Sequence, residues 1–264
     1  MPDSLIDVQV HSAIATIALN RPDKRNAMND EMRTEFIDVL ERIATDGDIR
    51  AVVLTGHGKG FCAGGDIAGM EKRLHAPPGE VAFNGWSRQQ RVHYTVSLLH
   101  TLPKPTIAAV NGAAAGLGAD LALCCDFVVA STNASFTWSY IDRGLVPDGG
   151  GLYVLPRRVG LARAKELIFS GRRVEVEEAL RLGIADRTAS PETLIVEAQV
   201  WATELSRGSP TALALGKQIL NQSFELSAEQ AFRLGSQAQG ICYTSAEHRQ
   251  SVLAFLDKSK GKGR

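Results

Sequence analysis

Apolar and polar residues alternate through "IDVQVHSAIATIALN", with a break at His11-Ser12. Alternation of period two on both sides of a turn predicts a β-hairpin. The period then changes. In "MNDEMRTEFIDVLERIATD", Met32, Phe36, Val39, Leu40 and Ile43 recur at helical spacing, Asn29 stands at the N-cap position, and Asp30 and Glu31 fall in the first turn, so a helix is expected. "IRAVVLTG" is a short β-branched run suited to a buried strand. A long loop comes next, including "LHAPPGEVAFNGW", whose Pro and Gly content suggests mobility. Beyond it the pattern gives a helix ending near Leu102, the strand "TIAAVNG", a glycine-rich turn, the helix "GADLALCCD" and the strand "FVVAS". Strands and helices alternating at this pace predict a parallel sheet with crossover helices.

From Leu161 onward the pattern is helical. "ARAKELIFSG", "VEEALRLG", "PETLIVEAQVWATELSRG", "PTALALGKQILNQS" and "SAEQAFRLGSQAQGICYTS" each carry Gly, Pro or Ser at their ends. The last third is therefore expected to be a helical subdomain. No tandem repeat is evident, and the low-complexity tail "DKSKGKGR" is expected to fray.

Composition narrows the function classes. At 264 residues, 44% hydrophobic and 22% charged, the chain is an ordinary globular protein with room for one large α/β core. Lys plus Arg and Asp plus Glu are 29 each, which argues against a nucleic-acid partner, whose footprint is a basic excess. Cys62, Cys124, Cys125 and Cys242 form no CxxC pair, so neither a metal site nor a disulfide framework is expected. Reduced thiols, the absence of a signal-like start and the lack of a long apolar run point to a cytoplasmic protein without a membrane partner.

Candidate chemistry lies in three glycine-rich turns. Gly116-Leu117-Gly118 follows a strand and opens a helix, but Leu121 replaces the third glycine of a dinucleotide fingerprint and no acid stands at the required distance beyond it. Its free N–H groups could meet an anion or an oxyanion, or the turn could serve close strand–helix packing. "GHGKGFCAGGDIAGM" lacks the spacing and the Lys-Ser/Thr pair of a phosphate loop, yet Ala63, Gly64 and Gly65 permit close approach to the backbone and Asp66 could cap the segment after it. "RGLVPDGGGLYVLPRRVG" sets Asp148 between Pro147 and three glycines, ahead of an apolar run. Two N–H donors converging on one oxygen, with a carboxylate beside them, suit proton transfer at carbon next to a carbonyl.

In "ATIALNRPDKRNAMN", "GKGFCAGGDI", "LPKPTIAAVNGAAAGLGADLALCCD" and "GLVPDGGGLYVLPRRVG", in order and in register over nearly the whole chain, the sequence resembles the crotonase (enoyl-CoA hydratase/isomerase) superfamily. The motif pattern is most similar to the enoyl-CoA isomerases of phenylacetate degradation. The resemblance implies an α/β crotonase (ClpP/crotonase-like) fold of repeated ββα units in a spiral core over residues 1–200. Residues 201–264 would form a helical trimerisation subdomain, in a homotrimer or dimer of trimers. It implies an acyl-CoA substrate, with CoA entering as part of the thioester and no permanently bound cofactor.

Carried over residue by residue, the oxyanion donors are the N–H groups of Ala63 and Leu117. Lys24, Arg25, Ala27, Ala63, Gly64, Gly65, Asp66, Ile67 and Gly112 lie along the CoA track, and Phe255 and Lys258 reach CoA, often from a neighbouring subunit. The two hydratase glutamates fall on Asp120, which is shorter, and on Tyr140, which is no carboxylate, so the hydratase pair is incomplete. Asp148 stands where several isomerases carry an acid. The resemblance therefore favours a double-bond shift through an enolate with Asp148 as acid/base, and hydration by Asp120 and Asp148 is the alternative. Aryl-CoA dehalogenases offer a further parallel, with Asp148 as nucleophile and His93 on the facing helix. A non-catalytic CoA- or RNA-binding role is the remaining reading.

Overall fold

The computed structural model describes residues 4–261. β1 (Ile6–His11) and β2 (Ile14–Leu19) form the expected antiparallel hairpin, with Ser12 and Ala13 at positive φ in its turn. α1 (Asp30–Thr45) begins where Asn29 accepts a 2.9 Å hydrogen bond from the Met32 N–H, which satisfies one of the helix's orphan donors. It buries Met32, Phe36, Leu40 and Ile43.

Three ββα turns come next. β3 (Ala51–Gly56) and β4 (Gly60–Cys62) precede α2 (Ile67–Leu74) and α3 (Pro78–His100). β5 (Thr106–Val110) and β6 (Ala113–Ala115) precede α4 (Leu117–Cys124), and β7 (Phe127–Ser131) and β8 (Ser135–Thr137) precede α5 (Gly151–Val159) and α6 (Leu161–Ser170). The first strand of each turn joins a six-stranded sheet in the order β1-β2-β3-β5-β7-β10, and the second joins a four-stranded sheet ordered β4-β6-β8-β9. The chain thus winds between two sheets, stacking one parallel strand on each per turn. β9 (Arg173–Glu175) closes the small sheet, α7 (Val176–Leu182) crosses back, and β10 (Arg187–Ala189) closes the large one. α8 (Leu194–Leu205), α9 (Pro210–Asn221), α10 (Ala228–Tyr243) and α11 (Ala246–Gly261) complete the chain.

The large sheet is buried on both faces, which explains why β3 reads as an unbroken apolar run rather than an alternation. Val52 and Leu54 face the main core, whereas Ala51 and Val53 face a second layer built by Leu194, Ala198 and Trp201 of α8. The core therefore does not stop at residue 200: that expected boundary falls inside α8, and α9 is the first helix after it with no buried residue. A second expectation also changes. "PGEVAFNGW" is not a loop but the start of α3, where Pro78 takes the first helical position and Glu80 lies in the first turn; proline is preorganised for that position and breaks helices only further in. The tail expected to fray ends in residues 262–264, outside the described part. Cys62, Cys124 and Cys125 are buried free thiols. Among the described residues no helix is long and apolar enough to cross a membrane.

Candidate active site

The loop after β2 is pinned to the start of the first ββα turn. Asn26 is fully buried; its amide donates to the carbonyls of His57 (2.9 Å) and Gly60 (2.8 Å) and accepts from the Arg21 N–H (2.9 Å). This fixes Arg25 and Asn26 in left-handed backbone conformations and lays residues 25–28 alongside 63–66. The Ala63 N–H donates to the Arg25 carbonyl (2.9 Å), the Met28 N–H to Gly64 (2.8 Å) and the Asp66 N–H to Met28 (3.1 Å). The Ala63 N–H is therefore engaged, contrary to its expected role as oxyanion donor. The bridge between Met28 and Gly65 leaves the Gly65 N–H without a backbone acceptor among the described residues.

The second donor forms one helix away. Leu117 is the first residue of α4, so its N–H has no intrahelical partner. Gly64, at φ +96°, packs so tightly that a Cβ there would stand 2.8 Å from the Ala115 carbonyl oxygen and 3.5 Å from the Leu117 nitrogen. The two N–H groups, of Gly65 and Leu117, thus belong to adjoining backbone, and both residues line one cavity of about 220 Å³. α4 is buried along its whole length, which keeps the positive end of its dipole in a low-dielectric setting.

Asp148 lines the same cavity, half-buried between buried Pro147 and Gly149. Two of the three glycines after it pack against Asp120. A Cβ on Gly149 would lie 2.5 Å from the Leu117 Cδ1 and 2.8 Å from the Asp120 Oδ2, and one on Gly151 would lie 2.3 Å from the Asp120 Oδ1. Gly150 has φ +100°, open to few other residues. The turn rests directly on a buried carboxyl.

Both oxygens of that carboxyl are hydrogen-bonded. The Trp138 indole N–H donates to Asp120 Oδ1 at 2.9 Å and the Tyr140 hydroxyl donates to Oδ2 at 2.7 Å. Burial pushes Asp120 from its ordinary value of 3.8 up to about 7; the negative charge of Asp148 adds to this, and the Tyr140, Trp138 and Gly151 donors oppose it. Burial and the neighbouring Asp120 charge hold Tyr140 far above its usual range, so its hydroxyl remains a donor. The folded protein holds the Asp120 proton more tightly than the unfolded chain does. Its contribution to stability therefore falls as pH rises from about 4 to 7 and is constant beyond. Infrared difference spectra should show a protonated-carboxyl band at pH 6 that is gone at pH 8 and missing from Asp120→Asn. A band unchanged over that range would show that Asp120 does not titrate there.

The other expected residues divide. Lys24 and Arg25 are exposed and Ala27 half-buried on the loop beside Gly64 and Gly65, and Ile67 is exposed at the start of α2. Asp66 is committed elsewhere, to the Arg21 guanidinium at 2.9 Å and the Ala68 N–H at 2.9 Å. Gly112 is a packing position, since a Cβ would stand 2.1 Å from the Lys59 carbonyl oxygen. His93 is exposed on α3 and does not line the cavity with Asp148, which removes the dehalogenase-like pairing. Phe255 is exposed on α11, and the Lys258 side chain lies outside the described part. Sequence reading missed Gly65 as a donor and missed Arg33, Gln89 and Val92 in the cavity wall. A signal for Arg33 existed: it stands three and four residues before Phe36 and Ile37, on the buried stripe of α1.

The chain belongs to the enoyl-CoA hydratase/isomerase family, whose pattern matches residues 9–262. It is 38% identical over 249 residues to the 1,2-epoxyphenylacetyl-CoA isomerase of Escherichia coli K12, covering 94% of each chain. It is 34% identical over 251 residues to the short-chain-enoyl-CoA hydratase of Clostridium acetobutylicum, covering 95% of this chain and 94% of that one. Its fold superposes on the crystal structure of an enoyl-CoA hydratase/isomerase from Cupriavidus metallidurans CH34 with a TM-score of 0.89, at 38% identity, covering 96% of this chain and 94% of that one. It is thus a crotonase-fold enzyme of the acyl-CoA type.

Proposed function

We propose that the protein shifts a double bond in an enoyl-CoA thioester, with Asp148 moving the proton. The observation that carries this reading is the division between its two acids: Asp148 lines the cavity, while both oxygens of Asp120 are bound by Trp138 and Tyr140. Handling a water as a hydratase does asks for two carboxylates facing the ligand, and Asp120 is spent on holding the turn.

The thioester oxygen is placed at the N–H groups of Gly65 and Leu117. The Asp148 carboxylate takes a proton from a carbon conjugated to the carbonyl, and the electron pair moves onto the thioester oxygen. The two donors hold the resulting enolate, each contributing about 3 kcal/mol. The protonated Asp148 then returns the proton to a different carbon, and the double bond has moved with no net gain or loss of atoms. CoA lies along the Lys24–Ala27 loop and the Gly64–Ile67 segment, where exposed cations suit its phosphates.

The family resemblance suggests a trimer or a dimer of trimers, and the apolar surface of the C-terminal region is consistent with self-association. Phe224, Phe232 and Phe255 are 76%, 74% and 72% exposed, large apolar side chains that association between chains would cover. The mass in solution should be that of three or six chains, and a monomer at micromolar concentration would overturn this.

The reaction is tested in heavy water with paired 3-enoyl- and 2-enoyl-CoA thioesters. The expected product is rearranged, carries exchanged hydrogen and has gained no water. Uptake of water would replace isomerisation by hydration.

A further inference from the structure

Leu117 brings the site a side chain as well as an N–H group. That side chain is buried and lines the cavity with Asp148. Asp120 stands three residues further along α4; residues three apart share a helix face, and side chains lean toward the helix start. The glycine turn locates the two groups relative to each other. A Cβ added at Gly149 would stand 2.5 Å from the Leu117 Cδ1 and 2.8 Å from the Asp120 Oδ2, so this methyl and this oxygen flank one point of the turn. Only one of them meets the cavity: Leu117 lines it, and Asp120, fully buried, does not.

Hydrogen bonding alone does not disable Asp120 as a partner for water. An ionised carboxylate accepts about four hydrogen bonds, and the Trp138, Tyr140 and Gly151 donors do not fill that capacity. What keeps a water from it is space. The cavity itself offers a water little help. Asp148 is the one carboxylate among the described residues lining it, beside the apolar Met70, Val92, Leu145 and Val146. Arg33 and Gln89 line it too, but a guanidinium has no acceptor and a neutral amide takes up no proton.

Resting on the proton-transfer reading above, we propose that the Leu117 side chain decides the reaction: it walls the Asp120 carboxyl off from the cavity and fills the place of a water between the two acids, so that a bound enoyl group is rearranged and not hydrated. Removing its outer carbons opens room for about one or two waters. A water admitted there donates one hydrogen bond to Asp120. In a 2-enoyl thioester its oxygen bonds to the carbon β to the carbonyl, its other proton passes to Asp148, and the electron pair of the double bond moves onto the thioester oxygen. Asp148 then returns that proton to the α carbon. One water is added, and both carboxylates end as they began.

The full-length protein is incubated in oxygen-18 water with 2-enoyl- and 3-enoyl-CoA thioesters, and the ratio of labelled hydroxyl product to rearranged product is read by mass. Leu117→Ala should raise that ratio at least tenfold over the wild type, and Leu117→Met, which restores the bulk, should return it. Adding Asp120→Asn to Leu117→Ala should lower it again several-fold. Should Leu117→Ala fail to fold, Leu117→Val decides, with a smaller rise. A ratio unchanged on trimming Leu117 would overturn its role and leave isomerisation standing, and a rise that ignores Asp120→Asn would overturn the partition. Hydration by the wild type would overturn isomerisation and this inference together. Infrared spectra test the partition without turnover. Burial is the largest cause of the raised Asp120 pKa, and the variant leaves Asp148, Tyr140, Trp138, Cys124 and the Gly151 N–H around it unchanged. The protonated-carboxyl band at pH 6 should therefore be weaker in Leu117→Ala than in the wild type. An equal band would overturn the partition, whichever thioester the enzyme turns over.

Discussion

Asp148→Asn lowers turnover by about 10²–10⁴-fold, the usual contribution of a positioned acid/base, while acyl-CoA affinity stays within a few-fold. Asparagine fills the same volume, so the turn on Asp120 and the cavity wall are kept. It cannot accept the proton. Hydrogen exchange from the thioester into heavy water should stop together with isomerisation, because both need the same first step. Steady-state rates and calorimetric binding of a saturated thioester separate the two effects. Equal losses of binding and turnover would make Asp148 a structural residue, and retained exchange would assign the proton transfer to another group.

Gly118→Ala has the largest effect expected on the fold. A Cβ at residue 118 would stand 2.1 Å from the Cys62 carbonyl oxygen and 2.8 Å from the Cys62 carbonyl carbon. The obstacle is backbone of β4, so no rotamer relieves it, and the helix must move. Overpacking of this kind costs about 1–3 kcal/mol; at roughly 2–4 °C per kcal/mol for a chain of this size, the melting temperature should fall by roughly 2–12 °C. The shift also moves Leu117, one residue away, relative to Gly65. A displacement of about 1 Å at a reacting group costs on the order of 10² in rate, so kcat should fall beyond what lost folded protein explains. An unchanged melting temperature would show that β4 and α4 separate easily and do not hold the two donors in a fixed position.

Much of the fold is legible because its signals are local. The hairpin break at His11-Ser12, the cap at Asn29 and the apolar run of β3 each depend on a few adjacent residues. The start of α3 is hidden because proline and glycine carry opposite meanings at a helix start and in its middle, and only the surrounding chain distinguishes them. The site is legible in its residue types and less so in its atoms. Leu117 and Asp148 line the cavity as the motifs suggest. Ala63 and Gly65 are two residues apart in a run of small side chains, and nothing in that run says which N–H the Arg25 carbonyl takes. That depends on the buried Asn26, which is tied to carbonyls more than thirty residues away. Asp120 is similar: its type suggests an acid/base, while its role comes from Trp138 and Tyr140, 18 and 20 residues further on.

The glycine turn over Asp120 makes residue 148 an interchangeable fitting. Gly149 and Gly151 have no space for a side chain, and Gly150 has a backbone that excludes most of them. Residue 148 faces the open cavity instead. An acid, an amide or no side chain can therefore be exchanged at this one point without disturbing the support beneath. The scaffold beneath the turn is thus independent of which side chain residue 148 presents to the cavity.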